Sequence, residues 1–219
     1  MTRRRALRIG TYGAFAAFVS PLAAPQLLAF PYHAVSNGSD VWSERPLPQA
    51  ELDRVTARAA ALVAASPLAD RSGERRHVFL TRGGWRWNWL ALQSRDAFAV
   101  TRAVGGALLM NRSDLAGDRI VNGYRRTRTL SGVLAHETCH GMERKRLGIV
   151  ATDIALPQWL REGYCDYVAR ESTLSDVEAA RLRAEGRSDP ALAYHDGRRR
   201  VAARLAANAG NVEAMFAAN

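Results

Sequence analysis

Leu52, Val55, Ala59, Leu62 and Val63 recur at the spacing of a single helix face and predict an amphipathic helix over residues 48–65. Three short runs rich in β-formers follow, at 77–81, 97–101 and 107–111, separated by Gly or charged turns. With 118–124 they predict a small sheet, and Gly105-Gly106 reads as a hairpin turn. After Thr127 the pattern turns helical. Residues 129–147 have helix length, with a Thr ahead and Gly148 as a left-handed stop. Pro157 opens a helix over 157–171, since a first-turn Pro forfeits no hydrogen bond. Ser175 and Glu178 form the pattern of a capping box for 175–185. Asp189-Pro190 starts a helix to about residue 208, and Asn211 caps a short last one. Strands first and helices afterwards predict an α+β chain: a small N-terminal mixed or antiparallel sheet packed on a helical half.

The N-terminus has a different pattern. Residues 2–8 are basic, residues 9–39 contain no Asp, Glu, Lys or Arg, and 9–30 are mostly apolar or small. As a helix, 9–30 would span ~33 Å, enough for a hydrocarbon core of ~30 Å. Residues 1–35 therefore read as a signal peptide or signal anchor, which implies export, with a membrane tether if the segment is kept. Pro25 after Ala23-Ala24 would spoil cleavage there, so removal and retention both stay open. Residues 36–47 mix turn formers, Pro and charge and read as a linker, leaving 48–219 as one folded domain.

Composition changes this picture little. A chain of 219 residues, 47% hydrophobic and 24% charged, has material for one ordinary core and is unlike a disordered sequence. The net charge is +10, but Lys145 is the only Lys among 31 basic residues and the Arg residues are dispersed. That points to compositional bias, and no nucleic-acid partner is expected.

The candidate chemistry lies in two helices. His136-Glu137-Thr138-Cys139-His140 is a HExxH string. Four residues along a helix is ~400°, so both imidazoles emerge ~40° apart and one turn apart and can reach one ion. Glu137, rotated ~100° from His136, borders the same pocket without having to ligate, placed to take a proton from a metal-activated water. Leu130, Val133, Leu134 and Met142 give the helix an apolar surface on which to pack. Two histidines leave a catalytic zinc one protein ligand short. The next helix carries Glu162 and Asp166 one turn apart. Glu162 completes the set, and Asp166 can accept the distal N–H of His136 and fix its tautomer.

The pairing of HETCH with PQWLREGYCDY resembles the gluzincin metallopeptidases, the thermolysin-like group with HExxH and a ligand Glu on the following helix, and above all small bacterial members whose second motif reads Pro-x-Trp-Leu-x-Glu-Gly. The resemblance covers residues 130–168. It implies a zincin-like fold and one Zn2+ per chain on His136, His140 and Glu162. It further implies a general base at Glu137, support from Asp166, and a peptide or protein substrate. More loosely, 107–111 is similar in position to the strand that pairs with substrate in that fold. Tyr194, or failing that His195, stands where relatives carry an oxyanion donor. Cys139 and Cys165 depart from the family pattern. Their equivalent offsets from His136 and Glu162 fit a disulfide between the ligand helices, and buried reduced thiols or a redox-sensitive metal site are the alternatives. The expected function is zinc-dependent peptide hydrolysis. The competing readings are a non-catalytic zinc-containing or partner-binding domain and a hydrolase of a cell-wall amide.

Trp85, Trp87 and Trp89 read either as core or as the rim of a cleft or membrane face.

Overall fold

The turn Asn37-Gly38, with φ of 45° and 73°, reverses the chain between strand β1 (Tyr32–Ser36) and strand β2 (Ser39–Ser43). Two consecutive positive φ angles match the twist of a tight hairpin, which favours Asn-Gly there. The computed structural model describes residues 20–69, 72, 75–102 and 105–217. It is an α+β fold, as the order of elements predicts.

The hairpin corrects the reading of 36–47 as a linker and moves the start of the folded part upstream of residue 48. Turn formers in SNGS mark one turn between paired strands. Of the expected helix over 9–30, residues 20–23 of the described part are helical, but the helix does not run on to 30: Pro25–Leu28 is a single 3-10 turn and β1 begins at Tyr32. Pro25 and Pro31 each remove a backbone donor, and Phe30 is buried with its ring 5.2 Å from that of Phe79. Residues 1–19 lie outside the described part. No helix among the described residues is long and apolar enough to cross a membrane.

Helix α1 (Gln49–Ala64) crosses from β2 to the parallel strand β3 (Arg76–Leu80), and helix α2 (Trp85–Ala91) leads to strands β4 (Ala99–Thr101) and β5 (Leu108–Met110). The sheet order is β1-β2-β3-β5-β4. The inner pairs β2–β3 and β3–β5 are parallel, and the outer pairs are antiparallel. Both faces are covered, so β3 and β5 alternate between two apolar clusters. Val78, Leu80, Leu108 and Met110 pack toward α1. Phe79 and Leu109 pack toward Trp87 and Leu90 of α2. This resolves the tryptophan run: it is helical, with Trp87 in the core and Trp85 exposed.

A second, antiparallel sheet of β6 (Arg112–Asp114), β7 (Arg119–Val121) and β8 (Thr127–Thr129) leads into helix α3 (Leu130–Leu147). A π-helical turn, Ala151–Ala155, precedes helix α4 (Gln158–Ala169). Helices α5 (Asp176–Ala184), α6 (Pro190–Ala207) and α7 (Val212–Ala217) complete the chain. The Ser175–Glu178 capping box is formed in full.

Helices α4 and α6 touch backbone to backbone. A Cβ on Gly163 would lie 2.4 Å from the carbonyl carbon of Gly197, and one on Gly197 would lie 2.7 Å from the carbonyl oxygen of Trp159. Glycine next to Glu162 is what allows the crossing, and the crossing fixes where Glu162 points.

Candidate metal centre

Helix α3 is anchored at its start, which sets the direction of everything it carries. Thr129 caps it by accepting from the Gly132 amide at 3.0 Å, and Asp118 accepts from the Ser131 amide at 2.8 Å and its hydroxyl at 2.7 Å. These contacts satisfy amides that have no partner within the helix. Gly148, at φ 89°, ends it.

On this helix His136 Nε2 and His140 Nε2 lie 3.1 Å apart, and Glu162 Oε2 of α4 stands 3.4 Å from the first and 3.3 Å from the second. The three side chains form a group that could hold a metal ion. The spacing fits one: bonds of ~2.0–2.2 Å at a tetrahedral angle place ligand atoms ~3.3 Å apart. Each remaining imidazole nitrogen faces a carboxylate, which leaves both Nε2 atoms for the shared point. His136 Nδ1 lies 2.8 Å from Asp166 Oδ1, off the line a hydrogen bond prefers. His140 Nδ1 lies 3.1 Å from Glu143 Oε2.

These carboxylates are embedded in charge. Arg128 Nη2 is 3.0 Å from Asp166 Oδ1, and the Ser172 hydroxyl donates to Oδ2 at 2.9 Å. Burial opposes ionisation of Asp166, but Arg128 and His136 outweigh it and hold the carboxyl below its ordinary range. Burial likewise opposes the charge on Glu162, and the two imidazoles reverse the balance and hold it far below the usual carboxylate range. Its other oxygen accepts from Arg161 Nη2 at 3.1 Å. Burial disfavours the imidazolium forms, yet Asp166 and Glu162 raise His136, and Glu143 and Glu162 raise His140. Glu143 is fully buried, its Oε1 has no hydrogen-bond partner, and burial pushes its carboxyl up.

Cys139 and Cys165 form a disulfide between α3 and α4, deciding among the three states open in the sequence. Cys139 precedes His140, and Cys165 lies between Glu162 and Asp166.

The three converging groups line a cavity of about 910 Å3, which β4, α3, α4 and α6 border. Glu137 lines it too, and its Oε2 accepts from the Thr101 hydroxyl at 2.5 Å. Tyr194 lines the cavity, and burial, reinforced by the charge of Glu162, raises its phenol.

Two sequence expectations are corrected. His195 is not among the residues lining the cavity; it is buried on another face of α6, with Nε2 2.8 Å from Asp176 Oδ1. One residue along a helix is ~100° around it, and on α6 that turn carries His195 away from the cavity that Tyr194 lines, toward Asp176. The expected edge strand also lies elsewhere. Residues 107–111 contain β5, which is internal, whereas β4 is the edge strand and its residues line the cavity.

Four residues of the site escape sequence reading. Glu143 leaves a signal, three positions after His140. Thr101, Arg128 and Arg161 leave none, because chain reversals bring the first two to the helices and the third sits beside a residue already assigned. Compared with models of known families, with curated proteins and with solved structures, the chain matches none.

Proposed function

We propose that the chain is a zinc-dependent metallopeptidase, with His136, His140 and Glu162 holding the ion and Glu137 as general base. The observation that carries this is the convergence of two imidazole nitrogens and one carboxylate oxygen, all within 3.4 Å of one another, on a cavity that Glu137 also lines. Two imidazoles and a carboxylate suit zinc, and three protein donors beside a cavity favour a catalytic site over a structural one closed by four. Bound there, zinc would supply Lewis acidity, polarising the scissile carbonyl and acidifying water.

The chain's own residues perform the rest. Glu137 accepts the proton of the attacking water and returns it to the departing amine. Tyr194, which lines the same cavity, donates to the oxyanion of the tetrahedral intermediate. Asp166 and Glu143 hold the imidazoles to their orientation, and Arg128 keeps Asp166 charged. The edge strand β4 offers backbone groups to an extended peptide, so the partner is a peptide or protein substrate. The disulfide and the apolar N-terminal sequence support an exported protein, acting in an oxidising compartment.

The test is Glu137→Gln, assayed on a broad peptide library, casein and peptidoglycan fragments at equal zinc content. Loss of peptide cleavage by about 100-fold or more is expected. Unchanged turnover removes Glu137 from the mechanism, and activity on peptidoglycan alone moves the substrate to a cell-wall amide.

A further inference from the structure

Glu137 is held from outside its own helix. The Thr101 hydroxyl donates to Glu137 Oε2 at 2.5 Å, and the Glu137 carbonyl oxygen lies within 3.4 Å of the same hydroxyl, so the donor is seated against both the side chain and the backbone of one residue. Thr101 is rigidly placed: it pairs with Leu108 across β4 and β5, and the Arg102 amide donates to the Ala107 carbonyl at 2.9 Å. A β-branched side chain on a paired strand has few rotamers to lose when it fixes a neighbour.

Resting on the peptidase reading, we propose that Thr101 is the positioning residue for Glu137. Its hydroxyl ties down one carboxylate oxygen and leaves the other for the proton of the attacking water. A carboxylate free to rotate would be aligned only part of the time, and a misplacement of ~1 Å is enough to cost ~100-fold in rate. The strand that carries Thr101 is also the sheet edge along the cavity. An extended peptide lying on β4 therefore bears on the strand that orients the base, so one element aligns both substrate and Glu137.

The experiment compares Thr101→Val, which keeps shape and removes the donor, with Thr101→Ser, which keeps the donor, in zinc-loaded full-length protein. Thr101→Val is expected to lower kcat about 10- to 100-fold with KM within about twofold, and Thr101→Ser to recover kcat to within about threefold of wild type. In the Glu137→Gln background Thr101→Val should add no further loss. A Thr101→Val enzyme with wild-type kcat beside an inactive Glu137→Gln enzyme would overturn the proposal and leave the base assignment standing. An active Glu137→Gln enzyme would instead overturn the base assignment, and the role of Thr101 with it. A second readout needs no substrate: the thermal-midpoint shifts of Thr101→Val and Glu137→Ala should be non-additive when combined. Additive shifts would show that the two side chains do not interact and would overturn the proposal on structural grounds.

Discussion

Cys139 and Cys165 are joined in a disulfide, with Cα atoms 5.3 Å apart, that ties the helix of His136 and His140 to the helix of Glu162. The bond is next to His140 in sequence and within one turn of Glu162, so it constrains the gap that the proposed ion would bridge.

Replacing both cysteines by serine should loosen that gap. A loop closed over 26 residues corresponds to about 3.5 kcal/mol of stability in the chain-entropy picture. Zinc affinity, read by chelator competition, should fall about tenfold or more in the double variant. Wild-type affinity would show that packing alone sets the ligand spacing.

Two glycines of the ligand helices should respond in opposite directions. Gly163→Ala drives a Cβ to 2.4 Å from the Gly197 backbone, which cannot step aside, and should cost at least ~2 kcal/mol in urea unfolding. Gly141→Ala, on the exposed side of α3, places its Cβ in open space and should gain ~0.5–1 kcal/mol from helix propensity. Equal effects would contradict the crossing of α4 and α6.

Glu143 exchanges stability for alignment. Its Oε1 is buried without a partner, so Glu143→Leu should leave the metal-free protein within ~1 kcal/mol of wild type. The same change removes the acceptor beside His140 Nδ1 and should weaken zinc binding by ~10- to 100-fold. Undiminished zinc affinity would mean that His140 needs no carboxylate behind it.

Tyr164 gives the alkaline limb of stability. Burial pushes its phenol up to about 12, and its oxygen lies 2.7 Å from the Ser66 hydroxyl. Between the unfolded value of ~10 and the folded one, the native state keeps a proton that the unfolded chain has released. Its contribution is therefore complete below the unfolded value and is lost as pH rises through the folded one. From pH ~9 to pH ~11 wild type should lose ~1.3 kcal/mol more than Tyr164→Phe in denaturant unfolding. Parallel losses in the two proteins would contradict this.

The helices were legible because their chemistry repeats at a period the sequence displays. His136 and His140 face one point through an i, i+4 spacing, and the same spacing on the next helix sets Glu162 and Asp166 against the two nitrogens of His136. The short strands were harder. β6 and β8 have three residues each, too few for an alternation to show, and the hairpin of β1 and β2 was hidden by turn formers that resemble a linker. Thr101 was illegible because the edge of a sheet meets α3 only after the chain has reversed through β5. The misplacement of His195 has a simpler cause: adjacency in sequence does not specify which of two neighbours on a helix faces the cavity.

Zinc-edge X-ray absorption of the zinc-loaded protein reads out whether His136, His140 and Glu162 hold one zinc ion. The expected shell is nitrogen and oxygen only, at ~2.0–2.2 Å, with the outer-shell signature of two imidazoles. Sulfur at ~2.3 Å would place the ion on Cys139 and Cys165, and that result, or failure to bind zinc at all, would overturn the proposed site.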